Sequence, residues 1–320
     1  MLSVFTSLNF WFSVLASTTP VLLATLAANM VFQAGMFNLA IEGTMLICAL
    51  TGVLVSVYTK NLFISVLASV LMGILISFIL GYFTLIMNGP MNACGVAINL
   101  LASGGTVFVL VLTAGSKITS LSLRSLTFPN VRIPFLEKIP VVGEVLSGQN
   151  FITYLGLLFV VLTWIFLYRM PAGRNLRAVG KNPDAAQSVG ISVLKMKFLA
   201  LAFCGTFSAF GGMYLSMGSL SSFTANMTNG RGFLSLAMNA MSKGNPVVGF
   251  LSSLLYGFSD TTTVYLQLYT NMDVKLISAL PYVFVLVVLV IVESIKARLL
   301  KRITGSSAVK KGVQQMKNEP

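Results

Sequence analysis

The polar stretch at residues 169–197 reads RMPAGRNLRAVGKNPDAAQSVGISVLKMK, and it stands between apolar runs at about residues 151–168 and 198–217. Each run is close to the roughly 20 apolar residues that cross a bilayer as a helix. Backbone polar groups in lipid are satisfied only inside helices or closed barrels. The stretch is therefore predicted to be a loop that joins two transmembrane helices.

Inside this loop, residues 182–190 carry the signals of a short helix. Asn182 suits the N-cap, Pro183 suits the first helical position, and Asp184 lies where the helix dipole favours negative charge. Gly190 is able to adopt the left-handed conformation that ends a helix. The prediction is a helix of about two turns. Two adjacent alanines are expected to form its small, smooth face: Ala185 and Ala186.

The composition of the whole chain also indicates a membrane protein. Hydrophobic residues make up 56% of it, charged residues 9%, and the mean hydropathy is +0.88. A soluble protein of 320 residues needs far more charge to cover its surface. We predict an all-α polytopic membrane protein with one transmembrane domain at residues 1–303 and a polar, basic tail at 304–320.

The net charge of +13 does not indicate a nucleic-acid partner. Thirteen of the 21 basic residues lie in two clusters, residues 169–197 and 296–317, and both clusters flank apolar spans. This is the distribution that the positive-inside rule produces, and no base-reading surface accompanies it. Both clusters are therefore predicted to be cytoplasmic, and the polar loop at residues 115–150 to be external.

Apolar segments recur along the chain, and 8–10 membrane helices with broken or re-entrant segments are expected. The predicted spans are about 10–32, 39–58, 62–87, 93–113, 151–168, 198–217, 247–268 and 276–295. A shorter apolar piece occupies residues 232–241. If it crosses the membrane, there are about nine crossings and the N-terminus is external. If it is a re-entrant half-helix, one other boundary must move.

Two turn-forming tripeptides interrupt the hydrophobic sequence, one in each half: Asn88-Gly89-Pro90 and Gly244-Asn245-Pro246. Discontinuous helices in corresponding halves point to a substrate pathway, because broken backbone is tolerated at membrane depth only beside a cavity or buried in protein. Ordinary loops with turn-forming residues look the same in sequence. Both interpretations stay open at this point.

Two carboxylates fall within apolar segments, Glu42 and Asp260. A carboxylate at membrane depth costs roughly 2.5 kcal/mol or more, so it normally faces a cavity or a partner. For Glu42 the alternative is a helix-end carboxylate that caps backbone groups. Amides offer a donor and an acceptor together, which suits a hydroxylated or heterocyclic solute, although hydrogen bonds between helices are equally common. The amide candidates for a substrate pathway are Asn38, Asn92, Asn99, Asn229 and Asn239.

Catalytic and metal-binding patterns are missing from the sequence. It contains no histidine, no Gly-x-x-x-x-Gly-Lys-Ser/Thr loop and no Cys-x-x-Cys pair. Its cysteines, Cys48, Cys94 and Cys204, lie in apolar runs and suit hydrophobic packing. We expect no enzyme, no cofactor and no metal site, and any ATP hydrolysis is assigned to another subunit.

The short helix carries a resemblance to a known family. Residues 184–190, DAAQSVG, are similar to the Glu-Ala-Ala-x-x-x-Gly loop of ABC importer permeases, with Asp in place of Glu. The wider run 176–191 resembles the permease group that serves simple sugars, nucleosides and branched-chain amino acids. Residues 37–43, FNLAIEG, resemble the Phe-Asn-Ile-Gly-x-Glu-Gly signature of its nucleoside and simple-sugar branch, and GRGF at 230–233 follows in the expected order. Two positions depart from the family pattern: Lys181 stands where relatives often carry an acidic residue, and Thr44 where they often carry Gln or Met.

The resemblance implies a permease subunit of an ABC importer, multi-pass in the bacterial cytoplasmic membrane and surrounded by lipid. Residues 182–190 would be the coupling helix, seated on a separate ATPase subunit. The implied partners are ATPase subunits, a second permease (a copy or a paralogue) and an external solute-binding protein or lipoprotein. A nucleoside is the first choice of solute and a simple sugar the second. The alternative is a self-sufficient proton-coupled transporter that uses Glu42 or Asp260.

Overall fold

The computed structural model describes residues 7–132, 142–269 and 274–304. Within these ranges the regular structure is helical, apart from two isolated antiparallel bridges that join Thr119 to Thr224 and Asn130 to Asn150. The prediction of an all-α polytopic membrane protein is confirmed. The predicted tail beyond residue 304 and part of the predicted loop at 115–150 lie outside the described residues.

The helices follow one another along the chain with short connections. Their bounds are α1 Leu8–Gln33, α2 Ile41–Thr59, α3 Leu62–Gly81, α4 Met91–Ala114, α5 Val142–Leu146, α6 Phe151–Arg169, α7 Pro171–Lys181, α8 Pro183–Ser188, α9 Val193–Met213, α10 Arg231–Ser242, α11 Pro246–Tyr269, α12 Val274–Ser278 and α13 Leu280–Thr304. Wider π-helical turns, Tyr82–Ile86 and Tyr214–Ser219, prolong α3 and α9.

Six of the described helices are long and apolar enough to cross a membrane: α1, α2, α3, α4, α6 and α9, with α3 and α9 including their π-helical turns. Two further helices, α11 and α13, have 24 and 25 residues. Most bounds agree with the predicted spans to within a few residues. The last predicted span, 276–295, is instead divided between the short α12 and the longer α13.

Helix α1 forms the centre of the bundle. The most apolar window of α1 is 83% buried, whereas that of α4 is 22% buried. Threonine hydroxyls inside α1 donate to the carbonyl oxygen four residues earlier, as Thr18 does to Val14 (2.6 Å) and Thr25 to Val21 (2.7 Å), so the buried hydroxyls are satisfied within their own helix. Helices α9, α10 and α11 pack around α1, while α3 and α4 present leucine and phenylalanine side chains outward.

Glycines let the helices approach closely. A Cβ atom added at Gly73 of α3 would fall on the carbonyl oxygen of Gly205 in α9, and one added at Gly205 would fall on that of Gly73. Small residues at crossings are the usual basis of helix packing in membranes, where van der Waals contact replaces the hydrophobic effect. The α3–α9 contact is therefore a backbone-to-backbone crossing.

The bundle has two ends of different character. The basic end holds α7, α8, the end of α1 and the Lys243–Pro246 turn, since Gly180 of α7 touches the backbone at Gln33. The loop end holds residues 115–131, 142–150 and 217–225, which bind one another through backbone hydrogen bonds. These ends are opposite because α1 begins at the loop end, where Phe12 accepts from Gln149 (2.9 Å), and finishes at the basic end.

Helix α10 is a half-helix. Its 12 residues span about 18 Å, less than the roughly 30 Å of a hydrocarbon core. Residues 220–230 enter the bundle from the loop end without helical structure, and α10 continues to the basic end. The short apolar piece at 232–241 is thus the helical half of one crossing. A similar non-helical stretch, residues 34–40, precedes α2.

The predicted breaks at 88–90 and 244–246 are ordinary turns between helices. Gly89 N–H bonds back to the carbonyl of Phe83 (2.9 Å), and Gly244 adopts a left-handed φ of 76°. Asn245 caps α11 by accepting from the N–H of Val247 (3.0 Å). The discontinuities inside the bundle lie elsewhere, at 34–40 and 220–230.

Candidate functional site

A carboxylate of α2, that of Glu42, caps the N-terminus of the half-helix α10. Glu42 accepts hydrogen bonds from the N–H of Gly230 at Oε1 (2.8 Å) and from the N–H of Gly232 at Oε2 (2.6 Å). The first turn of a helix has unsatisfied N–H donors and a partial positive charge. Of the two roles predicted for Glu42, this geometry supports the capping role, and the helix that it caps comes from the other half of the chain.

The two glycines that flank Arg231 allow this contact. Gly230 has φ 76°, which disfavours a side chain, and a Cβ atom at Gly232 would lie 2.6 Å from the backbone N and Cα of Glu42. The Gly-Arg-Gly pattern at residues 230–232 thus brings the backbones of α2 and α10 together while placing one arginine between them.

Two amides hold the non-helical stretch before α2. Asn38 is buried, and its Oδ1 accepts from the N–H of Ala40 (2.7 Å). Asn99 of α4 donates to the carbonyl of Leu39 (2.9 Å) and accepts from the N–H of Gly43 (2.8 Å). These side chains satisfy backbone groups that no helix satisfies, which is what a broken helix inside a bundle requires.

A group of ionisable side chains lies beside the Glu42 contact. The hydroxyl of Tyr256 donates to Oδ1 of Asp260 (3.4 Å), and Arg231 donates from Nη1 to the carbonyl of Met227 (3.4 Å). The Nε of Arg231 is buried and has no hydrogen-bond partner among the described residues. Tyr256 packs in one buried cluster with Leu234 of α10 and Val285 of α13, so the Tyr256–Asp260 pair lies beside the half-helix that Arg231 begins.

Residues from the 220–230 stretch complete this region. Tyr282 donates to the carbonyl of Asn229 (2.9 Å), and Ser103 of α4 donates to Oδ1 of Asn226 (3.0 Å). Both asparagines have positive φ values, 44° and 55°, as expected for a tight irregular segment. We call the group the polar junction, and its members are Glu42, Asn226, Asn229, Arg231, Asp260 and Tyr282.

Four of the predicted pathway residues lie outside the polar junction: Asn38 and Asn99, which hold the stretch before α2, and Asn92 and Asn239. Asn92 is exposed in the first turn of α4. Asn239 is buried nearer the basic end, where it donates to Oδ1 of Asn29 (2.6 Å), and Ser242 donates to the same oxygen (3.0 Å). Asn239 thus ties α10 to α1. Sequence alone does not show which spans adjoin, and the role of Asn92 and Asn239 in a substrate pathway stays a prediction.

The predicted short helix is present at the basic end as α8. Asn182 caps it by accepting from the N–H of Ala185 (3.1 Å), Pro183 begins it, and Gly190 follows it with φ 84°. Helix α8 has six residues, of which five are exposed. Val189, directly after it, is 73% exposed. The helix therefore stands on the surface with few contacts to its own chain.

The predicted smooth face needs a correction. Ala185 is exposed, but Ala186 is 3% exposed, and its carbonyl accepts from the N–H of Ile191 (3.0 Å). In a helix, neighbouring residues point about 100° apart, so two adjacent alanines do not share a face. Ala185 contributes to the outer surface, and Ala186 seats the helix on its own chain.

Helix α7 supports α8 and was missed from the sequence. It begins at Pro171 and buries residues at i, i+3 and i+6, namely Gly173, Leu176 and Val179. This spacing and the proline at the first position are both helix signals that were available. A Cβ atom at Gly180 would fall on the carbonyl oxygen of Gln33, so α7 is pressed against the end of α1.

An all-helical membrane bundle with helices that start inside it is typical of membrane transporters. A family model described as the permease component of the branched-chain amino acid transport system matches residues 10–292. The chain belongs to this family. It is a permease subunit of an ABC importer and a multi-pass inner-membrane protein. Such permease components are not themselves enzymes.

The curated relatives carry different solutes in their names. The guanosine ABC transporter permease protein NupQ of Bacillus subtilis is 30% identical over 78% of this chain and 80% of its own. The nucleoside ABC transporter permease protein NupC of Lactococcus lactis is 28% identical over 87% and 90%. A putative glucose ABC transporter permease protein, TsgC13 of Haloferax volcanii, is 30% identical over 76% and 73%. No solved structure matches the chain.

Proposed function

We propose that this permease carries a nucleoside, with a purine nucleoside as the first choice, and that solute passes beside the polar junction. The observation that carries the proposal is that Glu42 occupies the N-terminus of α10. In transporters with discontinuous helices, such a terminus attracts an anionic group of the substrate. Here the protein's own carboxylate takes that place, which favours a neutral solute over an amino acid with its carboxylate.

The remaining groups suit a neutral, hydroxylated ligand. The amide of Asn229 and the hydroxyl of Tyr282 supply donors and acceptors, and the Nε–H of Arg231 has no hydrogen-bond partner within the described chain. Aromatic rings such as Tyr282 also offer a face to a heterocycle. A simple sugar is the second candidate, since hydroxyl groups alone satisfy the same donors and acceptors. The names of the nucleoside and glucose permeases support these two classes in that order.

The coupling helix is α8. Its exposed residues, with Ala185 and Val189, form a small surface that fits a groove of a separate ATPase subunit. Gly190 allows the chain to turn back into α9 immediately afterwards. ATP-driven closure of two ATPase subunits then moves two permease subunits between inward-facing and outward-facing states. In this arrangement the basic end is cytoplasmic, as the positive-inside rule also favours.

The loop end receives solute from an external binding protein. Two of its segments, 115–131 and 217–225, are joined by reciprocal bonds: Ser120 N–H donates to the carbonyl of Phe223 (2.8 Å), and Phe223 N–H donates to Oγ of Ser120 (2.8 Å). Ala225 N–H donates to the carbonyl of Ile118 (2.8 Å). Such cross-linked segments make a firm platform, which is what docking of a solute-loaded protein needs.

The test is solute uptake by the assembled transporter in proteoliposomes, with its own ATPase and binding protein. Labelled guanosine, glucose and leucine are supplied separately with ATP. We expect ATP-dependent uptake of guanosine that unlabelled adenosine inhibits. Uptake of glucose alone supports the second candidate, and uptake of leucine alone overturns the argument from Glu42. Uptake without the ATPase, driven by a proton gradient, overturns the assignment of α8.

A matched pair of variants tests the pathway. Tyr282→Phe removes the hydroxyl that reaches Asn229, whereas Tyr58→Phe removes one from an exposed side chain at the end of α2. We expect Tyr282→Phe to raise KM for guanosine about two- to tenfold, the usual worth of one hydrogen bond. Tyr58→Phe leaves KM unchanged. Equal KM values for the two variants remove Tyr282 from the pathway.

A further inference from the structure

A cavity lined by basic side chains lies at the basic end, apart from the polar junction. It has a volume of about 630 Å³ and opens between the end of α1, the turn at residues 35–37, α7 and Lys243. Three basic side chains line it, namely Arg177, Lys181 and Lys243, together with Phe32 and Phe37. Neither the coupling role of α8 nor the solute pathway uses these residues.

The positive charges of the described cavity lining are not balanced by negative charges. The described lining contains no acidic side chain beside the three cations. Arg177 is held in place because its guanidinium stacks on the ring of Tyr168 at 4.6 Å, and its Nε is buried with no hydrogen-bond partner among the described residues. Lys243 follows the last residue of α10 with a left-handed backbone (φ 49°), and it lines the cavity from that side. Like charges converging on one cavity favour a bound anion.

The chemistry of the lining indicates the kind of anion. Arginine and lysine together bind phosphate oxygens well, the former through a planar fork and the latter as a point charge. Phe32 and Phe37 stand beside them, 42% and 47% exposed, and offer apolar surface next to the cations. A phosphate attached to an acyl chain satisfies both parts, and basic pockets between membrane helices on the cytoplasmic side bind such headgroups.

We propose that this cavity binds the phosphate headgroup of an anionic phospholipid. The headgroup would add a charged link between three parts of the molecule. Lys181 directly precedes the cap of α8, Phe32 belongs to the end of α1, and Lys243 ends the half-helix α10. A bound lipid therefore stabilises the base of the coupling helix against the base of the half-helix.

The test compares two double variants of the full chain purified in detergent. Lys181→Gln/Lys243→Gln removes two exposed cations from the cavity, and Arg174→Gln/Lys195→Gln removes two exposed cations of the same end that do not line it. Each is titrated with phosphatidylglycerol, phosphatidylcholine and inorganic phosphate, and bound ligand is counted by native mass spectrometry. Elution as a single species in size-exclusion chromatography checks that each variant is folded.

We expect the unaltered chain to retain phosphatidylglycerol in preference to phosphatidylcholine. The cavity variant should bind phosphatidylglycerol about 30-fold more weakly. It lacks two basic residues, and each of them contributes a similar share of the affinity for an anionic headgroup. The control variant should bind within about twofold of the unaltered chain, because its cations are not in the cavity. Equal weakening in both variants overturns the proposal, and so does inorganic phosphate that binds the cavity while the lipid does not.

Discussion

The coupling helix α8 and the polar junction differ in where their hydrogen-bond partners come from. In α8, the cap Asn182 and its partner Ala185 are three residues apart. In the polar junction, Glu42 reaches N–H groups 188 and 190 residues away. A helix whose cap hydrogen bond is made by a neighbouring residue keeps that bond when the helix moves as a unit against a partner. A contact that ties two halves of the chain together instead fixes how those halves are arranged.

The most severe test of this comparison is Glu42→Ala, which leaves two N–H groups of α10 without their acceptor. Each unsatisfied buried group costs about 1–3 kcal/mol, so the free energy of unfolding should fall by roughly 2–6 kcal/mol, and uptake should be lost. Glu42→Gln keeps one acceptor oxygen and should lose less. Thermal unfolding in detergent and uptake are measured together. Normal thermal unfolding and normal uptake in Glu42→Ala would show that the polar junction does not hold the two halves of the chain together.

A second pair of variants tests the exposed surface of α8 and its buried contact with the rest of the chain separately. Ala186→Leu places extra volume where the chain is buried, which should lower stability by about 1–3 kcal/mol. Ala185→Glu adds a charge to the exposed surface, so unfolding should be unchanged while ATP hydrolysis no longer drives uptake. Solute-stimulated ATPase activity of the assembled transporter measures the coupling. Full coupling in Ala185→Glu would move the ATPase contact elsewhere.

The cap of α8 provides a smaller and more local effect. Asn182→Ala removes the acceptor for Ala185 N–H and should cost about 1 kcal/mol, within the usual range for an N-cap. Because no distant residue depends on this bond, the loss should appear as faster hydrogen exchange in α8 with little change in global unfolding. Asn182→Asp, which keeps the cap, serves as the control. Slower uptake in both variants alike would contradict a capping role.

The same contrast explains what could be predicted from the sequence. The spans and α8 follow from local signals, because apolar length, caps and glycines act within a few residues. The contact of Glu42 with Gly230 depends on how two distant segments meet, and no local pattern records that. The tripeptides at 88–90 and 244–246 fit both a turn and a discontinuity, because the same residue types serve turns and breaks. The true breaks, at 34–40 and 220–230, are marked mainly by polar residues that bind backbone.

The smallest expected effect concerns Asn239, which the sequence grouped with the pathway and the structure places between α10 and α1. Asn239→Leu removes one of two donors to Asn29 Oδ1 and leaves that of Ser242. Hydrogen bonds between membrane helices average about 0.6 kcal/mol, so unfolding should shift slightly and KM should stay the same. Asn29→Leu removes the shared acceptor and also the Nδ2 donor to the carbonyl of Asn245 (3.4 Å), three hydrogen bonds in all, and should cost about three times as much. A raised KM in Asn239→Leu with unchanged unfolding would instead return Asn239 to the solute pathway, and the pathway would then extend from the polar junction along α10 towards the basic end.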